Sequence, residues 1–126
     1  MNFAEMSWKE IQEALKKTQT ILVPLSPLEQ HGPHLPVSTD YFRAFEICKS
    51  AAEKTKVFYL PPIIAGVLKK GYAFPGGVST SPEALKIFVR DIIESLLFTG
   101  FKKILIVSGH GGTTHNLAMR EIISKF

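Results

Sequence analysis

The stretch Thr20-Ile21-Leu22-Val23-Pro24-Leu25-Ser26-Pro27-Leu28-Glu29-Gln30-His31-Gly32-Pro33-His34-Leu35-Pro36-Val37-Ser38-Thr39-Asp40 decides how this chain is read. Its opening is a near-continuous apolar run, as expected of a strand covered on both faces. Residues 26–38 carry three prolines and one glycine and read as a loop. From Glu29 to Asp40, two carboxylates and two imidazoles fall within twelve residues at the mouth of that strand. Glu29 and His31 are two apart, and in extended chain positions i and i+2 point to the same side. Asp40 stands at the start of the next helix. Such a set can converge on one point in space, which suits a metal ion better than a core.

Working outward, residues 8–17 read as a helix with Ser7 as N-cap and Glu10 in capping-box position; Ile11, Ala14 and Leu15 form its apolar stripe. Residues 39–54 are helical, with Phe42, Phe45, Ile47, Ala51 and Ala52 as expected core positions and Cys48 as a small core residue. Residues 57–60 read as a short strand stopped by Pro61-Pro62. Residues 66–81 form a long glycine-rich loop, and a loop of that length inside a domain usually has a function. Ser81 caps a helix with Pro82 at its first position, ended by Gly100. Residues 104–107 read as a third buried strand, followed by Ser108-Gly109-His110-Gly111-Gly112 and a last helix from Thr113 or Thr114. Strands alternating with helices predict an α/β fold, a mainly parallel sheet with helices on both faces. Both polar clusters follow strands, and sites in open α/β sheets form at the carboxyl ends of strands. The two clusters are therefore expected to meet.

The 126 residues fit a single α/β domain spanning 1–126. Fifteen Lys and Arg are spread along the chain in doublets at most, including Lys69-Lys70, with a net charge of +4. That pattern predicts no nucleic-acid partner. No apolar stretch approaches the roughly 20 residues of a membrane span, and no secretory signal is recognisable. With a lone cysteine, this leads to an expected cytoplasmic location.

The metal reading takes Glu29, His31, Asp40 and His110 as ligands. Carboxylate oxygen and neutral imidazole nitrogen suit divalent zinc, manganese or iron. Three such groups after one strand and a histidine after another can hold two ions, with Asp40 bridging, and water bound there can be activated as hydroxide. The alternative makes Glu29 and His31 surface loop residues and Asp40 an acid favoured by the helix dipole. The run Gly109-His110-Gly111-Gly112 fits neither the dinucleotide pattern nor a P-loop. Its glycines more simply allow close backbone approach. His34 reads as a partner orienting the ligands, Ser79 and Thr80 offer hydroxyls in the long loop, Gly111 lies beside the site, and His115 reads as structural or exposed. A Ser108–His110–Asp40 triad is conceivable, but no G-x-S-x-G pattern accompanies it.

Residues 24–40 closely resemble the opening motif of the creatininase (creatinine amidohydrolase) family. Phe74-Pro75-Gly76 and Ser108-Gly109-His110-Gly111-Gly112 resemble its second and third blocks, in the same order. The resemblance implies a metal-dependent amidohydrolase on a three-layer α/β/α fold, often hexameric, with two divalent ions. The expected substrate is a small molecule with a non-peptide C–N bond, a cyclic amide or formamide. Glu29, His31, Asp40 and His110 are the implied ligands.

Three departures accompany the resemblance. Gly112 stands where creatinine-hydrolysing members carry a glutamate ligand, so creatinine is not the favoured substrate. Lys70-Gly71 stands where relatives often carry Glu-His. Members are about twice this long, and their second half supplies a catalytic histidine. The chain is thus expected to represent the N-terminal half of such a fold. The catalytic acid/base then lies outside it, and a catalytically silent metal-binding module, or one half of a split enzyme needing a partner chain, is the alternative.

Overall fold

The structure is a computed structural model that describes residues 1–68 and 74–126. Lys69-Lys70 and the Lys70-Gly71 departure lie outside the described residues, as does the middle of the long loop.

After a 3-10 turn at Phe3–Glu5, the order is α1 (Trp8–Leu15), β1 (Thr20–Ser26), α2 (Thr39–Thr55), β2 (Phe58–Tyr59), β3 (Ile63–Ile64), α3 (Pro82–Thr99), β4 (Lys103–Ser108) and α4 (Thr113–Ile123). The local signals act as expected. Ser7 and Glu10 close a reciprocal capping box on α1, satisfying two backbone donors that the helix leaves free. Ser81 Oγ accepts from the Ala84 amide, with Pro82 at the start of α3, and Gly100 at φ 113° ends that helix.

β1 is the axis of a parallel sheet. One edge pairs with β4 from Thr20↔Lys103 to Leu25↔Ser108. The other edge pairs first with β2, at Ile21↔Phe58 and Leu22↔Tyr59, and then with β3, at Leu25↔Ile63 and Ser26↔Ile64. β2 and β3 are thus two pieces of one interrupted strand. The sequence expectation of a strand ending at Pro61-Pro62 missed the second piece. Prolines have no N–H to give the ladder, so pairing lapses over them and resumes beyond.

Side chains alternate across β1 and split the core. Leu22 joins Cys48, Ala52 and Tyr59 under α2, with Phe45 and Ala51 packed around them. Ile21, Val23 and Leu25 face the opposite layer, where Leu96 and Phe101 or the α3–α4 pair cover them. The result is the expected three-layer α/β/α arrangement.

Two expectations about burial are corrected. Phe42 and Ile47 are 53% and 54% exposed. α2 instead buries Asp40, Ala44, Cys48 and Ala52, spaced one turn apart. These small residues let the helix lie close to β1, and the two larger side chains project off that stripe. β4 is not a buried strand either: Leu105 is 48% exposed. Among the described residues no strand pairs with its outer edge, and an apolar groove of about 580 Å³ runs along it, lined by Ile93, Leu97, Leu105, Ile123 and Phe126 among others. No helix among the described residues is long and apolar enough to cross a membrane.

Candidate metal centre

The carboxyl ends of β1 and β4 lie side by side, because Leu25 and Ser108 are register partners. The loops that leave them therefore start from one place. The β1 loop carries Glu29 and His31, α2 brings Asp40 back beneath them, and the β4 loop carries His110. Glu29 Oε2 lies 3.2 Å and Asp40 Oδ2 3.3 Å from His110 Nδ1. One ligand atom from each of these three residues lies within 4.8 Å of the others. The second carboxylate oxygen, Asp40 Oδ1, lies 3.2 Å from His31 Nε2. Asp40 thus faces a different imidazole with each oxygen. Its side chain is 7% exposed and that of His110 is 9% exposed.

The hydrogen bonds of His31 define its tautomer. Nδ1 is 2.9 Å from the Glu29 carbonyl oxygen, which can only accept, so Nδ1 carries the proton. In the neutral ring Nε2 then presents a lone pair to a carboxylate oxygen. At His110, two carboxylate oxygens converge on one ring nitrogen. Each nitrogen–oxygen pair is joined either by a proton on the nitrogen or by a cation held between the two atoms. A tetrahedral ion with bonds of about 2.0–2.1 Å sets its donors about 3.4 Å apart. The observed separations and the O/N donor set fit a divalent ion.

The glycines around His110 are explained by contact. A Cβ on Gly109 would stand 1.9 Å from the backbone oxygen of Asp40, and one on Gly112 would stand 2.3 Å from His110 Nε2. Only a residue without Cβ permits both approaches. Gly111 has open space around it and lines the cleft. This is the close-approach role expected of the glycine run. His110 Nε2, pressed toward Gly112, is buried without a hydrogen-bond partner among the described residues.

His115 is fully buried and braces this loop from below. The Val67 amide donates to its Nδ1 at 3.3 Å, so Nε2 carries the proton and donates to Ser108 Oγ at 3.0 Å. Ser108 Oγ in turn accepts from the His110 amide and donates to the His110 carbonyl oxygen. Burial first, and then the neighbouring His110 ring, lower the His115 pKa to about 4. Ser108 contacts the His110 backbone and the His115 ring, which leaves no triad with Asp40.

The remaining expected positions lie apart from the cluster. His34 is exposed, with its ring against Gly32. The Ser79 hydroxyl accepts from the Leu68 amide at 3.0 Å and lies 3.4 Å from the Gly66 carbonyl and 3.1 Å from that of Thr80, so it ties its own loop together. Neither residue lines the cleft. Arg43, not singled out from the sequence, does line it. This open cleft of about 540 Å³ also takes in Glu29, His31, Asp40, His110 and residues 111–113. The position of Arg43 one turn after Asp40 was the available signal, since residues three apart share a helix face.

A profile of the family described as "Creatininase: Creatinine amidohydrolase" matches residues 4–126. The chain belongs to the creatininase family. It is 32% identical over 110 residues to the 3-dehydro-scyllo-inosose hydrolase of Thermotoga maritima, covering 86% of this chain and 35% of that protein. It is 30% identical over 130 residues to the creatinine amidohydrolase of Pseudomonas putida, covering 94% of this chain and 50% of that protein. The chain therefore spans half or less of the length of these relatives. A solved creatininase, 25% identical, superposes with a TM-score of 0.84 over 98% of this chain and 51% of its own. Creatininase has also been solved as a Zn-Zn type and as a Mn form, each sharing this fold at 24% identity.

Proposed function

We propose that residues 1–126 form one domain, the metal-holding half of a metal-dependent amidohydrolase that cleaves a non-peptide C–N bond in a small cyclic amide or formamide. The reading rests on one observation: Asp40 Oδ1 faces His31 and Asp40 Oδ2 faces His110, with Glu29 beside the second pair. In it, Glu29, Asp40 and His110 hold one ion, and Asp40 with His31 holds another. Zinc and manganese are the favoured metals, in keeping with the creatininase forms solved with them, and iron fits the same donor set. The bound cations supply activation of water and polarisation of the amide carbonyl.

The chain's own residues supply the frame. The Glu29 carbonyl holds His31 in the tautomer whose Nε2 can ligate, and Ser108 and His115 hold the His110 backbone. Gly111 keeps the floor of the cleft open for substrate. The cleft side chains are thus occupied with binding and orientation. Proton delivery to the leaving nitrogen falls to a group outside this set. The protein is proposed to work in the cytoplasm as a homo-oligomer; its exposed apolar β4 edge supports association.

A second reading, a silent metal-binding module or one half of a split enzyme, is favoured by Gly111, Gly112 and Thr113, which line the cleft without adding a carboxylate or imidazole. One experiment addresses both. Metal content is measured by elemental analysis, and turnover of cyclic amides and formamides is followed before and after chelation. The hydrolase reading expects bound Zn or Mn and chelator-sensitive turnover. Bound metal without turnover supports the module, and full turnover in excess chelator rejects the metal-dependent reading.

A further inference from the structure

We infer that Arg43 competes with a divalent cation for Asp40 Oδ1, so that the centre holds one ion tightly and a second only weakly. This inference rests on the metal reading above and concerns how unequal its two positions are.

The donors are unevenly shared. Glu29, Asp40 and His110 form a compact three-ligand group from which His31 is absent. Three protein ligands and an open position are the usual makeup of a catalytic zinc site. The second position has only Asp40 Oδ1 and His31 Nε2 among the described residues. The cleft lining also includes Gly111, Gly112 and Thr113, which offer no carboxylate or imidazole.

A fixed positive charge already stands at that weaker position. The Arg43 guanidinium lies 3.6 Å from Asp40 Oδ1, the same oxygen that faces His31. A bond from Arg43 Nη2 to the Gly109 carbonyl oxygen anchors it there, although the side chain is 61% exposed. A freely solvated arginine would gain little from one carboxylate neighbour. The second anchor makes Arg43 a resident cation, joining the start of α2 to the β4 loop. A dication arriving between Asp40 Oδ1 and His31 meets like charge and must displace the guanidinium or share the oxygen with it. The first ion, on the Oδ2 side, displaces nothing.

The test is a titration of the full chain, stripped of metal by chelator, with Zn²⁺. Stepwise affinities are read by competition with a chromophoric chelator, and stoichiometry by native mass spectrometry. The wild type is expected to take one ion tightly and a second at least about tenfold more weakly. Arg43→Met should tighten the second step by about tenfold and leave the first unchanged, Arg43→Lys should keep the second step weak, and His31→Ala should abolish the second step alone. Equal affinities in the wild type, or an Arg43→Met variant whose second step is unmoved, would overturn the inference. Weakening of both steps in Arg43→Met would also overturn it, by making Arg43 a brace for the loop. Absence of any tight ion in every variant would overturn the metal reading itself.

Discussion

Asp40 Oδ2 lies 3.3 Å from His110 Nδ1, although 70 residues separate the two along the chain. The same carboxylate reaches His31 with its other oxygen, so a single side chain is common to both halves of the cluster. Asp40→Asn keeps the shape and removes the charge. It is expected to weaken binding of the first Zn²⁺ by more than about a hundredfold, a larger loss than partners outside the ligand set cause. Isothermal titration of the variant against the wild type measures it, and unchanged affinity would remove Asp40 from the ligand set.

The three glycines beside His110 should respond very differently to alanine. Gly109→Ala forces the β4 loop away from the start of α2, and a clash of that kind costs about 1–3 kcal/mol or more. Gly112→Ala pushes the His110 ring, so metal affinity should fall more than stability does. Gly111→Ala meets open space and should stay within about 0.5 kcal/mol of the wild type. Chemical denaturation of the three variants, paired with Zn²⁺ titration, tests the order.

Buried His115 makes stability depend on pH. Its pKa is 6.5 in the unfolded chain and about 4 in the folded one. Between those values the unfolded chain binds more protons. The contribution is complete above pH 6.5 and is lost as pH falls through the window toward 4. Tm should therefore drop on acidification across that range. His115→Gln, which can still accept from Val67 and donate to Ser108, should flatten the drop. An equally steep profile in the variant would assign the effect to other groups.

Among the described residues no strand pairs with the outer edge of β4, where Leu105 is exposed. Such an edge is a template for association. Sedimentation of the chain at rising concentration should reveal self-association, and Leu105→Lys should reduce it. Identical sedimentation of the two proteins would count against the edge as the contact.

Much of this architecture was legible in local chemistry. Ser7 with Glu10, Ser81 with Pro82, and Gly100 marked helix ends because capping acts within a few residues. The apolar run of β1 and the two clusters after strands led to the converging ligands, since parallel topology brings strand ends together. What escaped depended on tertiary placement. β3 was hidden behind Pro61-Pro62, where a break in the ladder looked like the end of a strand. Apolar character alone places Phe42 and Ile47 in the core, but it does not say which stripe faces β1; the small residues mark the true face. His115 gave no sign that Val67, brought from a distant loop, would complete its hydrogen bonds. Arg43 owes its place to a backbone carbonyl at Gly109, a partner that side-chain patterns do not display.

The Cys48 thiol is sealed between α2 and β1, where desolvation pushes its pKa up to about 11. Near neutral pH it carries almost no thiolate, the form that alkylating reagents attack. The chain's lone sulfhydryl is therefore silent while the helix stays seated and labels when it lifts. Iodoacetamide uptake thus becomes a clock for that motion, readable by mass without any added probe; prompt labelling of the native protein would mean that the helix is not seated as described.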